Sequence, residues 1–139
     1  MRLQMSAYID DVPPNSGGFT VWPESHTRIW KEQWKALQAG EKHISNKSIP
    51  IIGQITVDTQ PFDCHGPTGT VVLWHTKILH MAGQNTSSDV IRQSTIYGFL
   101  KTPAALSNAL AMDNTTGDIW RDWSEEVRTS PLTTPKAEK

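Results

Sequence analysis

The stretch that decides the fold is residues 69–100, which read GTVVLWHTKILHMAGQNTSSDVIRQSTIYGFL. It contains two short apolar runs, Thr70–Trp74 and Ile78–Met81, and a longer one, Val90–Leu100, separated by polar segments. Short runs that are rich in β-branched and aromatic residues and bounded by turn residues predict strands. The stretch therefore predicts three strands in close succession, as in an antiparallel sheet.

Upstream, the sequence predicts further strands at Leu3–Ile9, Phe19–Trp22 and Ile49–Val57, each bounded by proline, glycine or polar residues. The first two are joined by the Pro- and Gly-rich residues 10–18 and are predicted to form a hairpin with a long loop. Residues 63–69 are predicted to be a dense turn.

One helix is predicted between these strands. Trp30, Trp34 and Leu37 have the spacing of a single apolar helical stripe, with Thr27 as the N-cap and Gly40 as the stop. We expect this stripe to cover one face of a sheet.

About six short strands with Gly/Pro turns favour an all-β, mainly antiparallel fold with one or two peripheral helices, as an antiparallel sandwich or a jelly roll. Residues 1–129 are predicted to form a single domain. Residues 130–139 are predicted to be a disordered tail.

The bulk composition excludes several classes of protein. The chain has 139 residues, 13 basic and 14 acidic side chains and a net charge of -1, which does not indicate a nucleic-acid partner. No apolar run approaches the ~20 residues of a membrane helix, and the N-terminus lacks the apolar core of a signal peptide. Cys64 is the single cysteine, so no disulfide forms within the chain. We expect a cytoplasmic protein.

Two residues of the 69–100 stretch, His80 and Arg92, fall on neighbouring predicted strands, on either side of a polar turn in which Asn85 is expected to bond backbone groups. Imidazole is a ligand in the two-histidine, one-carboxylate sites of iron(II) oxygenases, and the guanidinium fork binds carboxylates. Because side chains alternate along a strand, Arg92 and Ser94 share a face and both can reach one carboxylate. The spacing alone does not distinguish such a site from a core histidine and an ion-paired arginine.

Three blocks of the sequence resemble the phytanoyl-CoA dioxygenase family of Fe(II)/2-oxoglutarate-dependent dioxygenases. The blocks are residues 8–26 (YIDDVPPNSGGFTVWPESH), residues 66–75 (GPTGTVVLWH), and residues 79–85 (LHMAGQN) followed by Ile91-Arg92. They occur in the order that the family shows, and the resemblance covers roughly residues 3–101.

The resemblance implies a partial double-stranded β-helix, which is a cupin-like jelly roll, and hydroxylation of a small organic substrate. It implies Fe(II) and 2-oxoglutarate as cofactors, with His80 as an iron ligand. It also implies Arg92 as the anchor of the 2-oxoglutarate carboxylate, with Ser94 as its helper. It assigns no separate catalytic acid or base.

The family's other two iron ligands form a His-x-Asp or His-x-Glu motif, and this motif is absent. The residues two positions after the five histidines are Arg28, Ser45, Pro67, Lys77 and Ala82. We therefore expect the chain to be the C-terminal part of a dioxygenase, which binds iron weakly and is inactive when isolated.

Two alternatives remain open at the level of sequence. The chain is either a non-catalytic, cupin-like module that binds a small carboxylate, or a partial site that another chain completes. In each case missing strands would leave open sheet edges, so we expect self-association.

Overall fold

The computed structural model describes residues 2–41, 48–100, 118–120 and 123–130. The chain divides into two compact units, residues 2–99 and residues 100–139 with Met1. In the second unit, the one-turn helix α3 (Glu125–Arg128) follows Trp123, whose ring packs edge-on against Trp120 at 5.3 Å. Beyond Ser130, the predicted tail lies outside the described residues.

The larger unit contains two helices and two three-stranded sheets. The helices are α1 (Ser25–Gln38) and α2 (Ser48–Asp58). The strands are β1 (Arg2–Tyr8), β2 (Phe19–Val21), β3 (Phe62–Cys64), β4 (Val71–His75), β5 (His80–Ala82) and β6 (Ser94–Leu100). One sheet has the order β4-β1-β6 and the other the order β3-β2-β5.

The antiparallel sheets confirm part of the predicted fold class. Met5 of β1 lies opposite Leu73 of β4, and Val21 of β2 lies between His80 and Phe62 of its two neighbours. The predicted hairpin is wrong, because β1 and β2 belong to different sheets. The described strands do not close into a jelly roll.

The predicted strand Ile49–Val57 is also wrong, because this segment belongs to helix α2. Its β-branched residues indicate a strand locally, but Ile51, Ile52 and Ile55 fall on one side of a helix and pack with Trp22 and Ile29. Burial of these side chains outweighs an intrinsic strand preference, which spans only about 1 kcal/mol. Pro50 lies in the first turn, where its missing N–H costs no helical hydrogen bond.

Helix α1 begins two residues before the predicted cap. Glu24 is the N-cap residue, in a left-handed conformation, and the Thr27 hydroxyl donates to its carbonyl oxygen (2.7 Å). The predicted end is confirmed: Gly40 has a φ of 75°, and its N–H donates to the Leu37 carbonyl (3.0 Å).

The predicted apolar stripe of α1 is only partly correct. Trp30 is buried as expected, but the other buried apolar side chains are Ile29 and Ala36, whereas Trp34 and Leu37 are half-buried. The helix packs against α2, and the Arg28 guanidinium joins both oxygens of Asp58 at 2.7 and 2.9 Å.

The predicted strand Val90–Leu100 begins later than expected, at Ser94. The turn predicted at residues 63–69 begins later too, because Asp63 and Cys64 belong to β3. No helix in the described part of the chain is long and apolar enough to cross a membrane.

Truncation of Ile55 tests the helical assignment of α2. Ile55 is completely buried, whereas Val57, two residues later, is 89% exposed. We expect Ile55→Ala to lower the free energy of unfolding by about 2–4 kcal/mol, because a buried methyl-rich side chain leaves a cavity. Val57→Ala should change it by less than about 0.5 kcal/mol. If urea unfolding gives equal losses of unfolding free energy for the two variants, the helix is contradicted, since a strand places both residues on the same face.

Candidate functional site

His80 is held on an aromatic platform at the start of β5. Its ring stacks on the Phe19 ring, with centroids 5.2 Å apart and planes 28° apart. It also lies 5.8 Å from the Trp74 ring, and Phe19 and Trp74 are 4.3 Å apart. The platform belongs to the core between the two sheets, while His80 itself is exposed. The ring is therefore both fixed and accessible to solutes.

One nitrogen of the His80 ring is already engaged. Nδ1 lies 2.8 Å from the carbonyl oxygen of Ile78. A carbonyl oxygen only accepts hydrogen bonds, so Nδ1 carries the proton and the neutral ring presents the lone pair of Nε2. Metal-binding histidines use this arrangement, in which a backbone carbonyl fixes the tautomer of the ligand.

The Tyr8 hydroxyl links the two sheets beneath this platform. It accepts a hydrogen bond from the N–H of Phe19 (2.8 Å) and donates one to the carbonyl of Cys64. Tyr8 belongs to β1, whereas Phe19 and Cys64 face each other across β2 and β3. Because Phe19 supports the His80 ring, the Tyr8 hydroxyl helps to fix the position of that ring.

Arg92 is near enough to Tyr8 for its positive charge to act on the Tyr8 hydroxyl. Burial raises the pKa of the Tyr8 hydroxyl, whereas the Phe19 hydrogen bond and the positive charge of Arg92 lower it. A charge acts on a neighbour only over a short range. The segment before β6 is held there by the Ile9 N–H, which donates to the carbonyl of Gln93 (3.0 Å).

Ser94 is the first residue of β6, and Arg92 precedes that strand; both are half-buried. The sequence places the two on one strand face, but the structure brings only Ser94 into the strand itself. The site roles of His80, Arg92 and Ser94 remain predictions.

The loop between His80 and Arg92 is held in place by hydrogen bonds, both within the loop and to the rest of the unit. The Asn85 side chain accepts from the Ser87 N–H (2.9 Å) and donates to the Val90 carbonyl (2.7 Å), which confirms its predicted role. The Gly83 N–H donates to the Gly18 carbonyl (2.7 Å). A side chain at Gly83 would place its Cβ 2.6 Å from the Gly18 carbonyl oxygen, so the close approach of the two backbone segments requires glycine at this position.

Beside His80, the residues that the structure describes do not form a complete set of metal ligands. Among the described residues, no three His, Cys, Asp or Glu side chains are grouped so that they could hold a metal ion. His26 and His75 lie near each other, with ring centroids 5.7 Å apart, and His65 lies 3.8 Å from Asp63. The described residues therefore do not form the three-ligand site that iron(II) requires.

The residues that the sequence analysis missed are Tyr8, Phe19 and Trp74. Alternation along β1 places Tyr8 on one face, but nothing local predicts that its hydroxyl reaches β2 and β3. Contacts between residues so distant in the sequence can be recognised only in the folded structure.

Removing the Tyr8 hydroxyl should be costly. In Tyr8→Phe the buried N–H of Phe19 loses its acceptor, so we expect the free energy of unfolding to fall by about 1–3 kcal/mol. Tyr97 is half-exposed, so Tyr97→Phe should change the stability by less than about 0.5 kcal/mol. Chemical denaturation of the two variants and the parent protein measures the difference. If Tyr8→Phe leaves the free energy of unfolding unchanged, the hydroxyl does not hold the sheets together.

His26 should make stability depend on pH. Burial lowers the pKa of His26 below its ordinary value of 6.5, against the raising effect of Glu24. The unfolded chain then binds this proton at a higher pH than the folded chain. Stability contributed by neutral His26 is present above about pH 6.5 and is lost as the pH falls towards the folded pKa.

Urea unfolding measured between about pH 5 and pH 8 tests this dependence. His26→Gln should flatten the stability profile in this window, and His65→Gln controls for the loss of an exposed histidine. An unchanged profile in His26→Gln would contradict the assignment.

Comparison with known proteins gives one match. The family model of phytanoyl-CoA dioxygenase (PhyH) matches residues 3–94, which is about two thirds of the chain and includes His80, Arg92 and Ser94. Neither the comparison with curated proteins nor the comparison with solved structures gives a match.

Proposed function

The chain belongs to the phytanoyl-CoA dioxygenase family, and from this premise we propose that it carries part of an Fe(II)/2-oxoglutarate dioxygenase site that hydroxylates a small organic substrate. In this proposal Nε2 of His80 is one iron ligand, and Arg92 with Ser94 binds the distal carboxylate of 2-oxoglutarate. The two three-stranded sheets are the part of the double-stranded β-helix that this chain contributes.

The observation that carries the proposal is that one pair of residues connects both candidate anchors. Phe19 stacks under His80, and its N–H bonds the Tyr8 hydroxyl, on which the charge of Arg92 acts. A co-substrate that bridges a metal and a cation needs both on one side of a rigid support. The Tyr8–Phe19 pair supports His80 directly, and Arg92 is near enough for its charge to act on the Tyr8 hydroxyl.

The chemistry of each residue fits its proposed role. The guanidinium of Arg92 offers parallel N–H donors to two carboxylate oxygens, a geometry that lysine does not provide. The Ser94 hydroxyl can donate a third hydrogen bond. In the neutral form of His80 the Ile78 carbonyl fixes the proton on Nδ1, so Nε2 is the nitrogen that can bind a metal.

Iron, when bound, supplies the oxidising chemistry of this family. This chain offers one histidine toward it, and none of its five histidines is followed two residues later by a carboxylate. We derive no reaction step through iron, and we propose that the remaining ligands come from residues outside this sequence. The isolated chain should then release no succinate from 2-oxoglutarate.

A second candidate function is a non-catalytic module that binds a small carboxylate. It is favoured by the lack of a three-ligand metal group among the described residues. The two functions differ in whether a metal strengthens carboxylate binding.

Titration with 2-oxoglutarate, monitored by NMR or calorimetry, tests the carboxylate anchor. Arg92→Leu should weaken binding about 10- to 100-fold, because hydrogen bonds between charged groups contribute about 1.5–3 kcal/mol. The matched control is Arg28→Leu, which removes the same charge from the exposed pair with Asp58. Equal affinity of Arg92→Leu and the parent protein would exclude Arg92 as the anchor.

The same titration with manganese(II) in place of iron(II) separates the two functions. Because a single histidine binds manganese(II) weakly, the metal is added in large excess. If His80 is a ligand, manganese then strengthens 2-oxoglutarate binding and His80→Ala removes that gain. Binding that is the same with and without manganese favours the carboxylate-binding module instead.

A further inference from the structure

The side of β1 that faces the core carries polar side chains. Gln4 lies opposite Trp74, and Ser6 lies opposite Val72. Both of these partners on β4 pack with the core between the sheets. Directly opposite residues share a face and side chains alternate along a strand, so Gln4, Ser6 and Tyr8, which we call the inner row, all point to this side. A strand normally turns apolar residues to the core, so packing alone does not explain the inner row.

Part of the inner row is unpaired within the described part of the chain. Ser6 is 1% exposed, and its Oγ forms no hydrogen bond to any described residue. The Gln4 side chain accepts one hydrogen bond, from the Trp74 indole N–H (3.0 Å), and its amide N–H groups have no acceptor among the described residues. Polar groups inside proteins are nearly always paired, and each exception calls for an explanation, such as a catalytic role or a bound water or ion. The inner row therefore points to a function beyond packing.

Trp74 fixes the direction of the Gln4 amide. An indole N–H only donates, so the amide atom that faces it is the oxygen Oε1. Trp74 belongs to β4, which pairs with one edge of β1, whereas β6 pairs with the other edge. The NH2 group of Gln4 is therefore turned away from β4, to the side of β6. Because Gln4 is half-buried, these two N–H donors remain within reach of a ligand.

The direction of this NH2 group leads to the candidate site. Strand β6 begins at Ser94, and Arg92 lies two residues before it. The Trp74 ring that holds the amide lies 5.8 Å from the His80 ring. The Gln4 amide is thus held by the side chain that contacts His80, and it is turned toward the strand that follows Arg92.

We propose that the NH2 group of Gln4 binds the 1-carboxylate of 2-oxoglutarate, which is the carboxylate next to the keto group. This role rests on the proposed function, in which Arg92 and Ser94 hold the distal carboxylate. An amide N–H that donates to a carboxylate forms a charge-assisted hydrogen bond, which is stronger than a bond between neutral groups. Gln4 lies about 13 Å along β1 from Tyr8, on which the charge of Arg92 acts. The five-carbon co-substrate and the two long side chains, those of Gln4 and Arg92, together cover this distance.

Two probes separate the role of Gln4 from that of Arg92. Levulinate is 2-oxoglutarate with a methyl group in place of the 1-carboxylate, so it keeps the keto group and the distal carboxylate. Each probe is titrated into the whole chain and followed by NMR without added metal, so that His80 does not contribute. The parent protein should bind both probes, and 2-oxoglutarate more tightly. Arg92→Leu should weaken the binding of both.

Gln4→Glu removes the two N–H donors but keeps an acceptor for the Trp74 indole, so the contact with the core is preserved. We expect this variant to weaken 2-oxoglutarate binding at least about 10-fold, because repulsion between two carboxylates replaces a charge-assisted hydrogen bond. Its affinity for levulinate should stay close to that of the parent. The matched control is Gln54→Glu, which adds the same charge at an exposed position of helix α2; it should bind both probes like the parent.

A second variant keeps the test valid if Gln4→Glu does not fold. Gln4→Met removes the donors without adding a charge, and it should weaken the binding of 2-oxoglutarate but not that of levulinate. If a folded Gln4 variant binds 2-oxoglutarate like the parent, or loses affinity equally for both probes, the role of Gln4 is overturned and the Arg92 anchor still stands. A parent protein that binds neither probe would overturn the proposed function, and the role of Gln4 with it.

Discussion

The rest of the larger unit depends on one buried hydroxyl. Tyr8 joins the two sheets through the N–H of Phe19 and the carbonyl of Cys64, which lie opposite each other on neighbouring strands. In a water-excluded position both backbone groups would be costly to leave unpaired, so the bonds define how the sheets meet. The Phe19 ring then fixes His80, and the positive charge of Arg92 acts on the same phenol. The geometry of the candidate site is thus a consequence of the contact between sheets.

The fold could be predicted from the sequence where the pattern is local. Strand β1, helix α1 with its end at Gly40, and the two runs that became β4 and β5 follow from alternation, spacing and turn residues. Helix α2 could not be predicted in this way, because three isoleucines favour a strand until Trp22 and Ile29 are placed beside them. The prediction of a hairpin was wrong for a related reason. Residues 10–18 look like a simple connection, yet they carry the chain from one sheet to the other.

For the candidate site, too, local sequence patterns predict some residues and not others. His80, Arg92 and Ser94 could be predicted as site residues because their surroundings resemble a family pattern, and the match over residues 3–94 confirms that family. The platform could not be identified, since Phe19 and Trp74 lie 55 positions apart in the chain and meet only in the folded unit. The tautomer of His80 is likewise decided by a carbonyl oxygen, whose direction no sequence pattern reveals.

The central position of β1 also affects how the chain is synthesised. Both neighbours of β1, β4 and β6, are translated long after it. At about 5–20 residues per second, roughly 3–13 s separate the release of β1 from that of β4. During this interval a strand with two open edges leaves the ribosome without its partners, and pairing between such distant segments is slow.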